Sequence, residues 1–164
     1  MTIRRLDPIA DRPAVDAFFQ DAADYIHIER DADPGPEVTD EFFSDTPPGC
    51  DPAQSLRLGL FDRGRLIAIA DLAFGYPEAS DAYLGLMIVA PSERGSGAGK
   101  RLLRHIEAVA RARDCKGLFL AVLEANPDGR SFWEREGFRT LLTDRPVTLG
   151  QKTQMAQRMG KALH

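Results

Sequence analysis

Three glycines within five residues, followed at once by two basic residues, give one short stretch of the sequence a marked chemical character. The stretch reads SERGSGAGKRLL and runs from Ser92 to Leu103. Glycine-rich loops that lead into a helix commonly bind phosphate, because backbone N–H groups and the positive end of the helix converge there. The loop therefore predicts a phosphorylated ligand.

The spacing of the glycines separates the known kinds of phosphate loop. A Walker A loop would need a glycine at position 94 and a hydroxyl at position 101, where this chain has Arg94 and Arg101. A dinucleotide-binding loop that starts at Gly95 would need its third glycine at position 100, which is a lysine. Neither loop fits, and the pattern that remains is Arg94-x-x-Gly97-x-Gly99.

Two polar residues in apolar stretches are candidates for proton transfer. Asp71 interrupts the stretch LIAIADLAF, where a carboxylate is costly unless it faces a cleft or has polar partners. A role as a base and a structural role in hydrogen bonding both remain open for it. Tyr83 can donate a proton, although a packed ring with an exposed hydroxyl is the competing interpretation. Neither Cys50 nor Cys115 lies in a recognisable Cys–His setting for a nucleophile.

Opposite charges concentrate in two parts of the chain. Residues 21–51 contain ten acids and one base, Arg30, whereas residues 94–113 contain six bases and one acid, Glu107. The basic part suits an anion. The acidic part would attract a cationic amine such as a polyamine, an aminoglycoside or a basic amino acid, and a solvated, solubilising loop is the alternative.

Length and composition are those of one folded domain. The chain has 164 residues, of which 43% are hydrophobic and 28% charged, and its net charge is -4. These values predict a single domain over residues 1–164 and no nucleic-acid partner. The two cysteines predict no disulfide framework, the first residues lack an apolar leader, and no apolar run is long enough to span a membrane. We therefore expect a protein of the reducing cytoplasm with no membrane partner.

The candidate residues lie on alternating helices and strands. Hydrophobic spacing predicts helices over residues 12–28, 97–113 and 126–137, a β-hairpin over 55–74, and strands over 82–90, 117–123, 139–142 and 153–159. The segment 31–55, rich in proline, glycine and acids, is predicted to be a loop. Order and type predict an α/β domain with a mixed central β-sheet flanked by helices.

A second motif, NPDGRSFWEREGF, follows the strand over residues 117–123. Its first residues predict the start of a helix, with Asn126 as N-cap, Pro127 in the first position and Asp128 favourable for the helix dipole. Gly137 is predicted to end this helix.

Together the two motifs resemble those of the GNAT N-acetyltransferase family. The glycine loop is similar to the family's acetyl-coenzyme A loop, which has Gln or Arg, two residues, Gly, one residue, then Gly or Ala. The later motif is similar to one in which an Asn begins a helix along the coenzyme. The resemblance covers residues 56–138 and implies a single GNAT-like domain whose sheet is splayed at the acetyl-CoA site. The coenzyme-binding residues that it implies are Met87, Ile88, Val89, Arg94, Gly95, Ser96, Gly97, Ala98, Gly99, Lys100, Asn126, Phe132 and Trp133.

The resemblance also implies a mechanism, in which the acetyl group passes directly from acetyl-CoA to an amine with no acyl-enzyme and no metal. The backbone of residues 87–89 would align the pantetheine arm, and an N–H near Val89 would stabilise the oxyanion. This chain departs from the family at two positions: Trp133 replaces the Tyr that many members use to protonate the thiolate, and Ala121 occupies the place of a carboxylate. Asp71 and Tyr83 are therefore the candidate catalytic residues.

The function that we expect is acetyl-CoA-dependent N-acetylation of a primary amine on a small, cationic acceptor. Peptide or protein lysines remain open as acceptors, and so does a homodimer. The alternative is a coenzyme A-binding module with little or no catalysis, which the missing Tyr and the missing carboxylate favour.

Overall fold

The computed structural model describes residues 1–164 and contains one seven-stranded sheet and five α-helices. The strands are β1 (Thr2–Arg5), β2 (Leu56–Asp62), β3 (Arg65–Phe74), β4 (Asp81–Val89), β5 (Gly117–Leu123), β6 (Arg139–Leu149) and β7 (Lys152–Ala162). The helices are α1 (Arg12–Asp21), α2 (Ala23–Arg30), α3 (Pro36–Ser44), α4 (Ala98–Ala112) and α5 (Pro127–Arg135). None of these helices is long and apolar enough to cross a membrane.

The sheet is mixed, as predicted. Its strand order is β1-β2-β3-β4-β5-β7-β6, and every neighbouring pair is antiparallel except β4 and β5. The predicted hairpin is β2 and β3, which turn at Arg63 and Gly64 with φ of 52° and 80°. Since parallel strands need a crossover, α4 connects β4 to β5.

Each face of the sheet has its own hydrophobic core. Residues of α4 and α5 belong to the larger core, and residues of α1, α2 and α3 belong to the smaller one on the other side. In α4, Leu102, Ile106 and Ala110 recur every four residues and are fully buried. This spacing explains why a helix with four bases still packs on the sheet.

The helix predicted over residues 12–28 is divided in two. α1 ends at Asp21 and α2 begins at Ala23, because Ala22 between them leaves the helical conformation with φ -95° and ψ 30°. Both helices bury apolar residues in the same core. The break makes α2 a separate element, which contributes residues to the cavity described below.

The segment predicted as a loop contains α3. Its first turn begins at Pro36, which is favourable there, and its inner side buries Val38, Thr39 and Phe42. A periodic pattern of so few residues is hidden among the surrounding prolines, glycine and acids. The short strand β1 was likewise not predicted, since only Ile3 in it is even half-buried.

β6 and β7 form a longer hairpin than the sequence predicted. Each strand has 11 residues, and the far end of the hairpin reaches α2. Lys152 Nζ lies 2.8 Å from Asp31 Oδ1, and Gln154 Nε2 donates to the carbonyls of Ile28 at 2.9 Å and Glu29 at 3.1 Å. These contacts fix the hairpin against the end of α2.

Candidate active site

β4 and β5 separate halfway along their length. They pair as far as Leu84 and Leu120 and no further, while β4 stays paired with β3 on its other side. At this point the β3–β4 register shifts, so that Gly85 is an extra residue between Leu84 and Leu86. A cavity of ≈ 720 Å³ lies at the splayed strands, and its walls come from α2, β4, the glycine loop, β5, α5 and the β6–β7 hairpin.

The glycine loop carries backbone donors without partners. Gly95 and Gly97 have φ of 80° and 90°, and Gly97 is the N-cap of α4. The N–H groups of Gly95, Gly97, Ala98, Gly99 and Lys100 make no hydrogen bond within the protein. Free N–H groups at a helix N-terminus attract an anion, because they act together with the positive end of the helix dipole.

Gly99 lies where α4 comes closest to β4 and α5. A Cβ added there would be 3.3 Å from Val89 Cγ2 and 3.5 Å from the Phe132 ring. The small residue lets the first turn of α4 approach the cavity wall closely.

α5 begins as the sequence predicted. The Asn126 side chain accepts a hydrogen bond from the Gly129 N–H at 3.1 Å, so that Asn126 is the N-cap. The rings of Phe132 and Trp133 pack edge to face at 4.9 Å, and both line the cavity. Trp133 is also part of the larger core, which fixes α5 against the sheet.

All the predicted coenzyme-binding residues line this cavity except Ser96 and Ala98. The Ser96 hydroxyl donates to a carbonyl of its own loop at 2.5 Å, and Ala98 is buried in the core. Arg94 is already engaged, because its guanidinium donates to both carboxylate oxygens of Asp24, at 2.5 and 3.1 Å. This pair joins the glycine loop to α2.

Tyr83 lies in the cavity wall, one position before β4 and β5 separate. Its ring packs edge to face on Tyr76 at 5.0 Å. Burial raises the pKa of Tyr83, so the phenol keeps its proton at neutral pH and can act as a donor.

Asp71 lies behind the cavity and is not one of its lining residues. Its side chain is 3.4 Å from Arg57, measured from Oδ1 to Nε, and a Cβ added to Gly85 would lie 3.2 Å from its Oδ2. Burial raises the pKa of Asp71 to about 6, with Arg57 acting in the opposite direction. The carboxylate is therefore paired, and Gly85 separates it from the cavity.

The α2 end of the cavity is formed by residues that the sequence did not single out. They are Tyr25, Ile28 and Glu29 from α2 together with Val147 and Leu149 from the hairpin. Glu29 is 7% exposed, and burial raises its pKa to about 7. One sequence signal could have indicated this end of the cavity: Tyr25 and Glu29 are one helical turn apart, beside the buried Ile26. The acidic residues around Glu29 concealed this spacing.

Most acids between residues 21 and 51 pair with bases instead of forming an open anionic rim. The pairs are Asp21–Arg65 at 3.7 Å, Asp24–Arg94 at 2.5 Å, Asp31–Lys152 at 2.8 Å, Asp33–His27 at 2.6 Å, Asp40–Arg12 at 2.5 Å and Glu41–Arg30 at 2.5 Å. No group of three or more His, Cys, Asp or Glu side chains is arranged to hold a metal ion.

A splayed mixed sheet with a glycine loop at the gap is the architecture of an acyl-group transferase. The model of the Acetyltransferase (GNAT) family matches residues 17–138, and the chain belongs to this family. The membership predicted from the two motifs is confirmed.

Curated relatives match parts of the chain. The chain is 35% identical over 69 residues to Acetyltransferase Atu2258 from Agrobacterium fabrum, which is 42% of this chain and 49% of that protein. It is 43% identical over 47 residues to an amino-acid acetyltransferase from Ralstonia nicotianae, which is 29% of this chain and 10% of that protein. The chain thus spans half or less of the curated relatives that it matches.

Solved structures match the fold over nearly the whole chain. The ribosomal-protein-S18-alanine N-acetyltransferase from Escherichia coli aligns with a TM-score of 0.72 at 21% identity, over 99% of this chain and 93% of that one. The PaiA N-acetyltransferase from Thermoplasma acidophilum, solved in complex with coenzyme A, aligns with a TM-score of 0.70 at 18% identity, over 98% of both chains. At these identities the likeness concerns the fold.

Proposed function

We propose that this chain, as one domain over residues 1–164, transfers an acetyl group from acetyl-CoA directly to a primary amine. The observation that carries the proposal is the row of unpartnered N–H groups in the glycine loop, which lines the same cavity as the splayed part of β4. The first feature suits the pyrophosphate of a coenzyme, and the second offers backbone groups to an extended arm. The coenzyme A complex of a protein with the same fold supports this reading.

The proposed donor site uses backbone atoms and basic side chains. Gly95, Gly97 and Gly99 would bind the pyrophosphate through their N–H groups, with Lys100 adding charge at the cavity wall. The backbone of residues 87–89 in β4 would align the arm and stabilise the oxyanion. Acetyl-CoA supplies the activated acyl group, and the protein supplies binding and orientation.

Two protons have to move during the transfer. An alkylamine with a pKa near ~10.4 must lose one before it attacks, and the sulfur that leaves must gain one. Tyr83 is the proposed donor to the sulfur, because it is protonated and lines the cavity. Asp71 is the base proposed from the sequence, and with Gly85 in between, a proton would have to reach it through water.

The proposed acceptor is a small amine that is cationic at neutral pH, and the proposed place of the reaction is the cytoplasm. Its support is the buried carboxylate of Glu29 on α2, which lines the cavity. One curated relative is named an amino-acid acetyltransferase and one structural neighbour a ribosomal-protein-S18-alanine N-acetyltransferase, so both free amino acids and alanyl peptides belong in the test.

The competing proposal is a coenzyme A-binding module without turnover, favoured by the absence of the usual Tyr at Trp133 and of a carboxylate at Ala121. Release of free thiol from acetyl-CoA, measured across a set of monoamines, polyamines, aminoglycosides, amino acids and alanyl peptides, separates the two. Amine-dependent thiol release supports the transferase. Tight coenzyme binding without any release supports the binding module.

A further inference from the structure

Five carboxylates line the cavity, and four of them are either paired or at its exposed donor end. Asp24 pairs with Arg94, Glu93 lies 3.6 Å from Arg65, and Glu136 lies 2.6 Å from Arg104, whereas Asp128 is exposed at the start of α5. The fifth, Glu29, is the buried one, and it lies at the α2 end.

The charges around Glu29 do not balance. Arg30 is the nearest base, and its Nε lies 3.7 Å from Glu29 Oε1, but its Nη2 binds Glu41 at 2.5 Å. Glu37 also faces this guanidinium. One guanidinium shared among these carboxylates compensates the negative charge at Glu29 only in part, and such a charge is unfavourable in a buried place.

The other elements around Glu29 bring no second base to its carboxylate. The Tyr25 hydroxyl lies beside it and favours its charged form. From the hairpin, Gln154 binds the backbone carbonyl of Glu29, and Lys152 is directed to Asp31. The walls that the hairpin adds nearby, Val147 and Leu149, are apolar.

The protonation of Glu29 can change at the pH of the cell. Burial raises its pKa to about 7, where a carboxylate both accepts and releases a proton readily. An ammonium that enters beside Glu29 would supply the missing positive charge and would favour the ionised carboxylate.

We propose that Glu29 binds the ammonium group of the acceptor and takes its proton, and that the acceptor carries this amine on a compact apolar stem. This inference rests on the proposed transferase function and deepens it. Glu29 is then the base that touches the acceptor, a position that Asp71 does not reach.

The reaction balances with the groups named. The ammonium gives one proton to the Glu29 carboxylate, and the free amine attacks the thioester carbon. As the new C–N bond forms, the C–S bond breaks and its electron pair leaves on sulfur. Tyr83 gives its proton to that sulfur, and the second proton of the nitrogen restores the Tyr83 phenol. Amide and thiol are the products, and Glu29 returns its proton to the solvent.

The test compares wild type with Glu29→Gln, using 2-phenylethylamine and acetyl-CoA as probes from pH 5.5 to 10. In wild type, kcat/KM should rise to a plateau with an acid-side pKa close to 7. In Glu29→Gln it should be lower by about 10²- to 10⁴-fold at pH 7.5, the usual contribution of a general base. The variant should also keep gaining activity up to the pKa of the amine, because only free amine reacts.

Control experiments test whether the change in rate and pH profile comes from Glu29. Asp33→Asn removes an exposed acid just beyond α2 and should leave both the rate and the profile unchanged. The inference is overturned if Glu29→Gln keeps the wild-type profile, or if Asp71→Asn removes the acid limb while Glu29→Gln does not. 1,3-Diaminopropane should be a poorer acceptor than 2-phenylethylamine, and a preference for the diamine would overturn the apolar stem.

A binding readout keeps this test separate from the proposed function. At pH 8, 2-phenylethylamine should raise the melting temperature of the wild-type complex with coenzyme A and should not raise that of the Glu29→Gln complex. Equal shifts in both overturn the role of Glu29 even when wild type shows turnover. If the wild type binds the amine in a Glu29-dependent manner and releases no thiol with any amine, the transferase proposal fails and the ammonium site stands.

Discussion

The buried carboxylates of Asp71 and Glu29 lie in different surroundings. Asp71 lies next to Arg57, whose guanidinium also donates to the carbonyls of Phe42 at 3.0 Å and Asp45 at 2.6 Å, so it belongs to a structural network. Glu29 shares its nearest base with another carboxylate and lines the cavity. Burial raises both pKa values, to about 6 and about 7, which means that both ionised forms lower stability.

The pH dependence of unfolding should reveal this cost at Glu29. Between its ordinary value of 4.5 and its folded value near 7, the folded protein holds a proton that the unfolded chain has released, so stability falls as the pH rises through this window. Glu29→Gln lacks this loss. Its free energy of unfolding, measured by urea denaturation, should therefore exceed that of wild type by roughly 3 kcal/mol at pH 8. At pH 4 the two proteins should be equally stable.

The matched variant for this measurement is again Asp33→Asn, since that side chain is exposed. Its free energy of unfolding should stay within about 0.5 kcal/mol of wild type at both pH values. Equal stability of Glu29→Gln and wild type at pH 8 would mean that Glu29 is not destabilised by burial.

At the scale of the element, the glycine loop leads directly into the first turn of α4, and the backbone conformation at Gly97 makes this connection. Gly97 must adopt a φ of 90° to turn the chain into the helix, and no atom lies within 4 Å of a Cβ built on it. A side chain there would be strained by the backbone alone and would project beside the free N–H groups. Gly64, with a φ of 80° and equally open space, shares the strain and lies in the β2–β3 turn.

Gly97→Glu and Gly64→Glu are therefore a matched pair. Each should lower the free energy of unfolding by about 1–2 kcal/mol, the cost of a left-handed conformation for a residue with a Cβ. Only Gly97→Glu should weaken coenzyme A binding, on the order of a hundredfold or more in calorimetric titration, because its carboxylate repels the pyrophosphate. Unchanged affinity in Gly97→Glu would contradict the assignment of the loop.

At the scale of the molecule, the cavity lies where the two halves of the sheet separate. β4 and β5 are the single parallel pair, and they part beyond Leu84 and Leu120. The two halves are therefore held together by short strand pairing and by the larger core, which contains residues of both halves. A ligand that fills the gap and contacts both halves binds the folded state and not the unfolded chain. Binding must therefore stabilise the whole protein.

Acetyl-CoA at a hundred times its dissociation constant should add about 2.7 kcal/mol to the free energy of unfolding. For a domain of this size, this corresponds to a rise in melting temperature of roughly 5–10 °C. Differential scanning fluorimetry measures it, and in Gly97→Glu a hundredfold weaker affinity should leave a rise of only about 1 °C. No shift in the wild type would contradict coenzyme binding, and with it both proposed functions.

The donor side was largely predictable from the sequence, because its determinants are local. The helix start at Asn126 and the glycine loop are short motifs whose residues act next to each other in the chain. The α2 end was not predictable. Its cavity depends on a helix break at Ala22 with no proline or glycine to mark it, and on a hairpin whose contacts with α2 join residues 121 positions apart.

The contact between the hairpin and α2 divides the chain's two recognition tasks. The proposed donor site comes from one continuous stretch, from β4 to α5, within the part that the family shares. The proposed acceptor end comes from α2 and from the hairpin residues Val147 and Leu149, which lie beyond residue 138, where the family match ends. If these assignments hold, substitutions in the hairpin change which amine enters and leave the coenzyme site intact, so that a new acceptor is gained in evolution without loss of the donor.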